Sequence, residues 1–77
     1  MSESARDRIR EVMARVFEVA EAELPDEPEL GNPPAWDSLG HIRLVLEVEQ
    51  EMGVRFITDR IPELTTLDAL VRETESG

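Results

Sequence analysis

The side chains best able to do chemistry lie together in one short stretch, Trp36-Asp37-Ser38-Leu39-Gly40-His41. Ser38 supplies a hydroxyl that can be esterified, Asp37 a carboxylate beside it, and His41 the only imidazole of the chain. A serine and a histidine three residues apart can meet on a helix surface, the arrangement of a base-activated nucleophile. The flanking residues argue against an enzyme. Trp-Asp-Ser-Leu-Gly lacks the first glycine of a nucleophile elbow, and 77 residues leave no room for the parallel sheet that presents one. His41 is expected at the edge of an apolar face, partly buried and neutral. With no cysteine in the chain, it has no soft co-ligand for a metal. Calcium fails as well, because an EF-hand register starting at Asp26 puts Pro28 and Leu30 where oxygen ligands belong. Ser38 remains. It stands where a proline-rich stretch gives way to a helix, beside the positive end of the helix dipole, and two roles fit it there: the cap of that helix, or the attachment point of a phosphate ester.

The elements that must position Ser38 are legible from periodicity. From Ala5 to Ala20, the residues Ile9, Val12, Met13, Val16, Phe17 and Ala20 repeat as a one-sided apolar stripe, which predicts a first helix capped by Ser2 or Ser4. Residues 21–36 hold four of the five prolines with Gly31 and Asn32, which stops helix and sheet alike and predicts a long loop pinned to the core by Leu24, Leu30 and Trp36. A second helix is expected from Ser38 to Met52, capped by Asp37 or Ser38 and stopped by Gly53. Between Val54 and Leu64, Pro62 leaves space for one helical turn around Thr58 to Ile61. A last helix, capped by Thr65 or Thr66, then runs to about Glu73 on the apolar face of Leu67, Leu70 and Val71. The expected architecture is all-α: a small four-helix bundle of three main helices plus a short third helix, with a long first loop, in a single domain covering 1–77.

Projected at about 100° per residue, the second helix has more apolar surface than a core requires. Leu44, Val45, Val48 and Met52 make one core face, and Leu39, Ile42 and Leu46 extend the apolar arc to roughly 220°, about twice the usual stripe. Two outcomes fit: the surplus is exposed beside Ser38 as a docking patch, or a loop or the short third helix covers it.

Eight arginines stand against 18 acids, a net charge of −10. Arg6, Arg8, Arg10 and Arg15 neutralise residues 1–20, so the surplus lies wholly within residues 21–77. Such a chain repels nucleic acid and anionic membranes. No apolar run approaches the roughly 18 residues of a membrane span, and residues 1–15 lack the apolar core of a signal peptide, so a cytoplasmic monomer is expected.

The stretch from Trp36 through Asp37-Ser38-Leu39-Gly40-His41 to Met52 resembles the signature of the acyl carrier protein family, in which Asp-Ser-Leu opens an acidic amphipathic helix. Length, helix order, loop placement, acidity and the Thr65-Thr66-Leu67 start of the last helix extend the resemblance over essentially the whole chain. It implies that Ser38 carries a covalent 4′-phosphopantetheine arm, installed by a phosphopantetheinyl transferase from coenzyme A with magnesium. Asp37 would assist that transfer, and Leu39 would touch the transferase and later partners. Acyl intermediates would then ride on the arm's thiol as thioesters, delivered by a loading ligase to enzymes of a fatty-acid-like, polyketide or other specialised biosynthetic pathway. The protein would be a carrier and not itself an enzyme. Gly40 and Arg43 stand where many fatty-acid-type carriers have acids, which argues against a generic fatty-acid role, and Gly40-His41 with Trp36 before Asp37 look more like discrete carriers of specialised biosynthetic pathways. Partner contacts are expected from Leu39, Ile42 and Leu46, with steering by Glu47, Glu49 and Glu51. Two alternatives are an aminoacyl or peptidyl carrier loaded by an aminoacyl ligase, although Ala35-Trp36 replaces the Gly-Gly common there, and an acidic interaction module without cofactor. The cargo is expected to be short or polar and held outside the core, because a core of branched side chains leaves little spare volume.

Overall fold

The computed structural model describes residues 4–76. Helix α1 spans Ala5–Phe17, α2 Ser38–Met52 and α3 Leu67–Ser76, with 3-10 segments at Glu21–Glu23 and Thr58–Glu63 and no named strand among the described residues. The protein is a small all-helical bundle.

Helix α1 begins where Ser4 Oγ accepts the Asp7 N–H at 3.1 Å, so Ser4 is its cap; Ser2 lies outside the described residues. It ends three residues earlier than the apolar stripe predicts. Glu18 takes the left-handed conformation at φ 57°, and Val19 N–H returns to the Ala14 carbonyl at 3.0 Å. Ala20 is therefore exposed and Val16 half-buried, while Ile9, Val12, Met13 and Phe17 form the buried stripe. A twenty-residue connection, 18–37, has to leave the bundle there, and reversing the chain at Glu18 prevents Ala20 from continuing the helix face.

That loop is tied down, not loose. Leu24 and Trp36 enter the core, as do Pro28 and Pro33, whereas Leu30 is 44% exposed and pins nothing through its side chain. Its contribution is from the backbone: Leu30 N–H donates to the Thr65 carbonyl at 2.8 Å, and Leu67 N–H to the Pro28 carbonyl at 3.0 Å, which fastens the loop to the start of α3. Arg10 donates to the Pro25 carbonyl at 2.8 Å, and Arg6 reaches Glu27 and Asp68 at 3.0 and 2.8 Å. The radius of gyration, 11.3 Å, is that of a fully packed chain of this length, so the loop lies on the bundle.

Helix α2 has the bounds expected for it and ends at Gly53, whose φ of 66° strains any residue with a Cβ. The segment after it is longer than one turn: Thr58–Glu63 winds as a 3-10 helix through Pro62. Pro62 is tolerated because the fixed φ of proline suits a short 3-10 element, in which a missing N–H costs a single bond. Thr66 caps α3 through Oγ1 to the Ala69 N–H at 3.0 Å, and the helix continues past Glu73 to Ser76. Leu44, Val45, Val48, Leu67 and Leu70, each at most 2% exposed, pack with the α1 stripe, Phe56 and Leu64 into one core.

Candidate functional site

The start of α2 is built by a division of labour between neighbours. Asp37, in extended backbone conformation, accepts the Gly40 N–H at Oδ1, 2.8 Å, and its carbonyl takes the His41 N–H at 2.7 Å. Asp37 is thus the cap. Ser38 is the first helical residue, exposed, and its hydroxyl makes no hydrogen bond with any described residue. Of its two possible roles, the structure assigns the cap to Asp37 and leaves the hydroxyl facing solvent at a helix N-terminus. The surroundings fit a phosphate ester at that oxygen: it is accessible, and the positive end of α2 lies beside it.

His41 is more deeply buried than expected at the edge of an apolar face, at 7% exposure. Its Nδ1 accepts the indole N–H of Trp36 at 3.1 Å, and its Nε2 lies 2.8 Å from the Ile61 carbonyl. An indole can only donate and a carbonyl only accept, so the ring is the neutral Nε2–H tautomer with both nitrogens engaged. Phe17, Trp36 and His41 stack in series, with ring centroids 5.8 and 6.1 Å apart. This latch joins α1, the loop, α2 and the Thr58–Glu63 segment. It leaves no imidazole nitrogen to serve as base for Ser38.

Gly40 is buried, and the structure gives the reason for its lack of a side chain. A Cβ there would collide with the Ala35 carbonyl oxygen and press on Phe17 and the capping carboxylate at 3.3 Å. The proline-rich loop therefore passes directly over the first turn of α2. An acid cannot occupy this position in this packing. The signal in the sequence was a glycine inside a first helical turn, where glycine costs helix stability unless backbone must approach closely.

The surplus apolar arc of α2 is uncovered: Leu39, Ile42 and Leu46 are 65%, 55% and 54% exposed. They follow Ser38 along one side of the helix. The acids expected to steer partners are also engaged within the chain. Arg15 binds Glu47 and Glu51, each at 3.2 Å, and Arg8 binds Glu51 at 3.1 Å, which turns both acids towards α1. These hydrogen bonds from Arg15, then Arg8, hold the Glu51 carboxyl below the usual carboxylate range, and Glu51 and Glu47 in turn raise Arg15. Glu49 is half-buried and accepts the Phe56 N–H at 2.8 Å, closing the turn after α2. All three acids thus have structural partners within the chain.

No protein-family model matches the chain. The site accordingly rests on its own geometry: a free hydroxyl at a capped helix start, a bare apolar strip beside it, and two clefts on the α1 side. The nearer cleft, about 240 Å³, is bounded by Asp37, Leu39, Gly40 and Phe17; the farther, about 540 Å³, by Leu46, Glu47, Gln50 and Arg15. Both open to solvent, and Val16, Glu18 and Arg43 border both. Among the described residues, no group of three or more His, Cys, Asp or Glu side chains is arranged to hold a metal ion, and no helix is long and apolar enough to cross a membrane.

Proposed function

We propose that this chain is a discrete carrier protein of the acyl carrier type, with Ser38 as the attachment point for 4′-phosphopantetheine. The observation that carries this reading is the division at the start of α2, where Asp37 holds the cap and Ser38 keeps an exposed hydroxyl with no partner among the described residues. A serine present only to cap the helix has no reason to stand one residue inside it. The group supplies a terminal thiol, on which cargo is held as a thioester. In that transfer Ser38 Oγ would bond to the pantetheine phosphorus as the pyrophosphate bond of coenzyme A breaks, with adenosine 3′,5′-bisphosphate leaving and the hydroxyl proton passing to a base of the transferase. Asp37 holds the first turn through Oδ1 and is exposed next to Ser38 in the chain.

Leu39, Ile42 and Leu46 offer the apolar contact for the transferase, for an acyl- or aminoacyl-loading ligase, and for later enzymes of a fatty-acid-like, polyketide or other specialised pathway. The protein is a substrate of these enzymes. The engagement of both His41 nitrogens supports a carrier over an independent Ser-His hydrolase. Incubation with coenzyme A, magnesium and a broad-specificity transferase, followed by intact-mass measurement, tests the proposal. One pantetheine increment on the native chain and none on Ser38→Ala is expected. An unmodified native chain overturns the carrier reading in favour of an acidic interaction module, and a modified Ser38→Ala chain overturns the site.

A further inference from the structure

Resting on that reading, we propose that the chain tethered to Ser38 lies back along the groove between α1 and α2, with its amides facing Arg43 and Gln50 and its methyl groups against Val16 and Leu46. The two clefts form one path because they share Val16, Glu18 and Arg43. The path begins at Asp37, Leu39 and Gly40, the neighbours of Ser38, and ends at Leu46 and Gln50. From Leu39 to Gln50 it follows α2 for roughly 16 Å at about 1.5 Å per residue. Gly40, over which the loop packs closely, borders its beginning.

The lining specifies the occupant. Val16 and Leu46 are apolar and incompletely buried, while Arg43, Gln50 and Glu18 are exposed polar groups on the same groove. Arg43 makes no ion pair among the described residues, whereas Arg15 is held by Glu47 and Glu51. A guanidinium offers five N–H donors and Gln50 a donor and an acceptor, a set that suits uncharged amide and hydroxyl groups. Glu18 and Glu47 in the same walls offset Arg15 and Arg43, which leaves no net attraction for an anionic end group, and a long alkyl chain would lie against charge. The groove therefore takes an amide-bearing arm ending in a short, polar, uncharged acyl group. The core offers no rival place, since Leu44, Val45, Val48 and Leu70 are at most 2% exposed and closely packed.

The test uses nitrogen-15-labelled full-length protein in apo, pantetheinylated and acetyl-loaded forms, each confirmed by intact mass. Amide shifts at Val16, Arg43, Leu46 and Gln50 are expected to change at least twofold more than those at Leu67 and Leu70, with nuclear Overhauser contacts from the arm's methyl groups to Val16 and Leu46 methyls. Arg43→Ala should at least halve the shift changes at Val16 and Gln50. Loading without such changes, or with changes confined to the neighbours of Ser38 or centred on Leu67 and Leu70, overturns the groove and leaves the carrier reading standing. Failure to load the native chain removes both.

Discussion

Adjacent residues at the start of α2 have separable tasks, and substitution should separate them. Asp37→Ala removes the cap acceptor for Gly40 N–H and is expected to cost about 1 kcal/mol, measured by urea unfolding. Ser38→Ala removes a hydroxyl with no partner among the described residues and should change stability by less than about 0.5 kcal/mol while abolishing loading. Equal stability losses in the two variants would mean that Ser38 shares the cap. Gly40→Ala places a methyl against the Ala35 carbonyl, so helix propensity and packing oppose each other. Propensity gains about 1 kcal/mol, but overpacking against backbone costs about 1–3 kcal/mol, and net destabilisation is expected in the same assay. A more stable Gly40→Ala protein would show that the loop can withdraw from α2 without cost.

At the scale of elements, the junction of α1 and α2 depends on acidity. Glu51 is held below its usual range by Arg15 and Arg8 in the folded state, so the unfolded chain binds its proton more readily. The corresponding stability is present above the ordinary glutamate value and is lost as pH falls through the depressed folded one. Because the pair is exposed, salt should weaken the effect. Thermal unfolding of Glu51→Gln is expected to show a shallower loss of stability on acidification than the native chain; identical pH profiles would mean that the arginines contribute nothing at this junction. The same pairing alters how docking must be probed. Reversing Glu47 or Glu51 would put a second positive charge beside Arg15 and confound partner binding with the α1–α2 contact, so the exposed apolar strip is the better target. Ile42→Asp and Leu46→Asp should leave the circular dichroism spectrum unchanged and lower transferase turnover several-fold. Turnover equal to that of the native chain would place the docking surface elsewhere.

For the whole molecule, the His41 latch has the widest reach, because one ring connects the loop through Trp36, α2 through its own backbone, and the Thr58–Glu63 segment through the Ile61 carbonyl. His41→Phe fills most of the volume but leaves the indole N–H and that carbonyl buried without partners. A loss of about 2–3 kcal/mol is expected by urea unfolding, a large share of the stability of a domain this small. Since Trp36 is the only tryptophan, its emission reports the same event. A variant of native stability with unchanged emission would show that the two hydrogen bonds are dispensable.

The local features were legible in the sequence because they depend on neighbours along the chain. The bounds of α2, its stop at Gly53, a cap of α3 at Thr65 or Thr66 and the surplus apolar arc over Leu39, Ile42 and Leu46 all follow from periodicity and terminal chemistry within a few residues, and the structure selects Thr66. Pattern also identified Ser38 as the residue to examine. It could not choose between Asp37 and Ser38 as cap, since both types cap well and only the backbone of the arriving loop decides which carboxylate or hydroxyl reaches Gly40 N–H. Contacts between elements were hidden for the same reason. The burial of His41 against Trp36 and Ile61, the turn at Glu18 that frees Ala20, and the pairing of Glu47 and Glu51 with Arg15 join residues far apart in sequence or set by where the chain must go next. A charge or an imidazole carries no mark of its partner in the sequence, and the packing of α1 and the loop against α2 selected one.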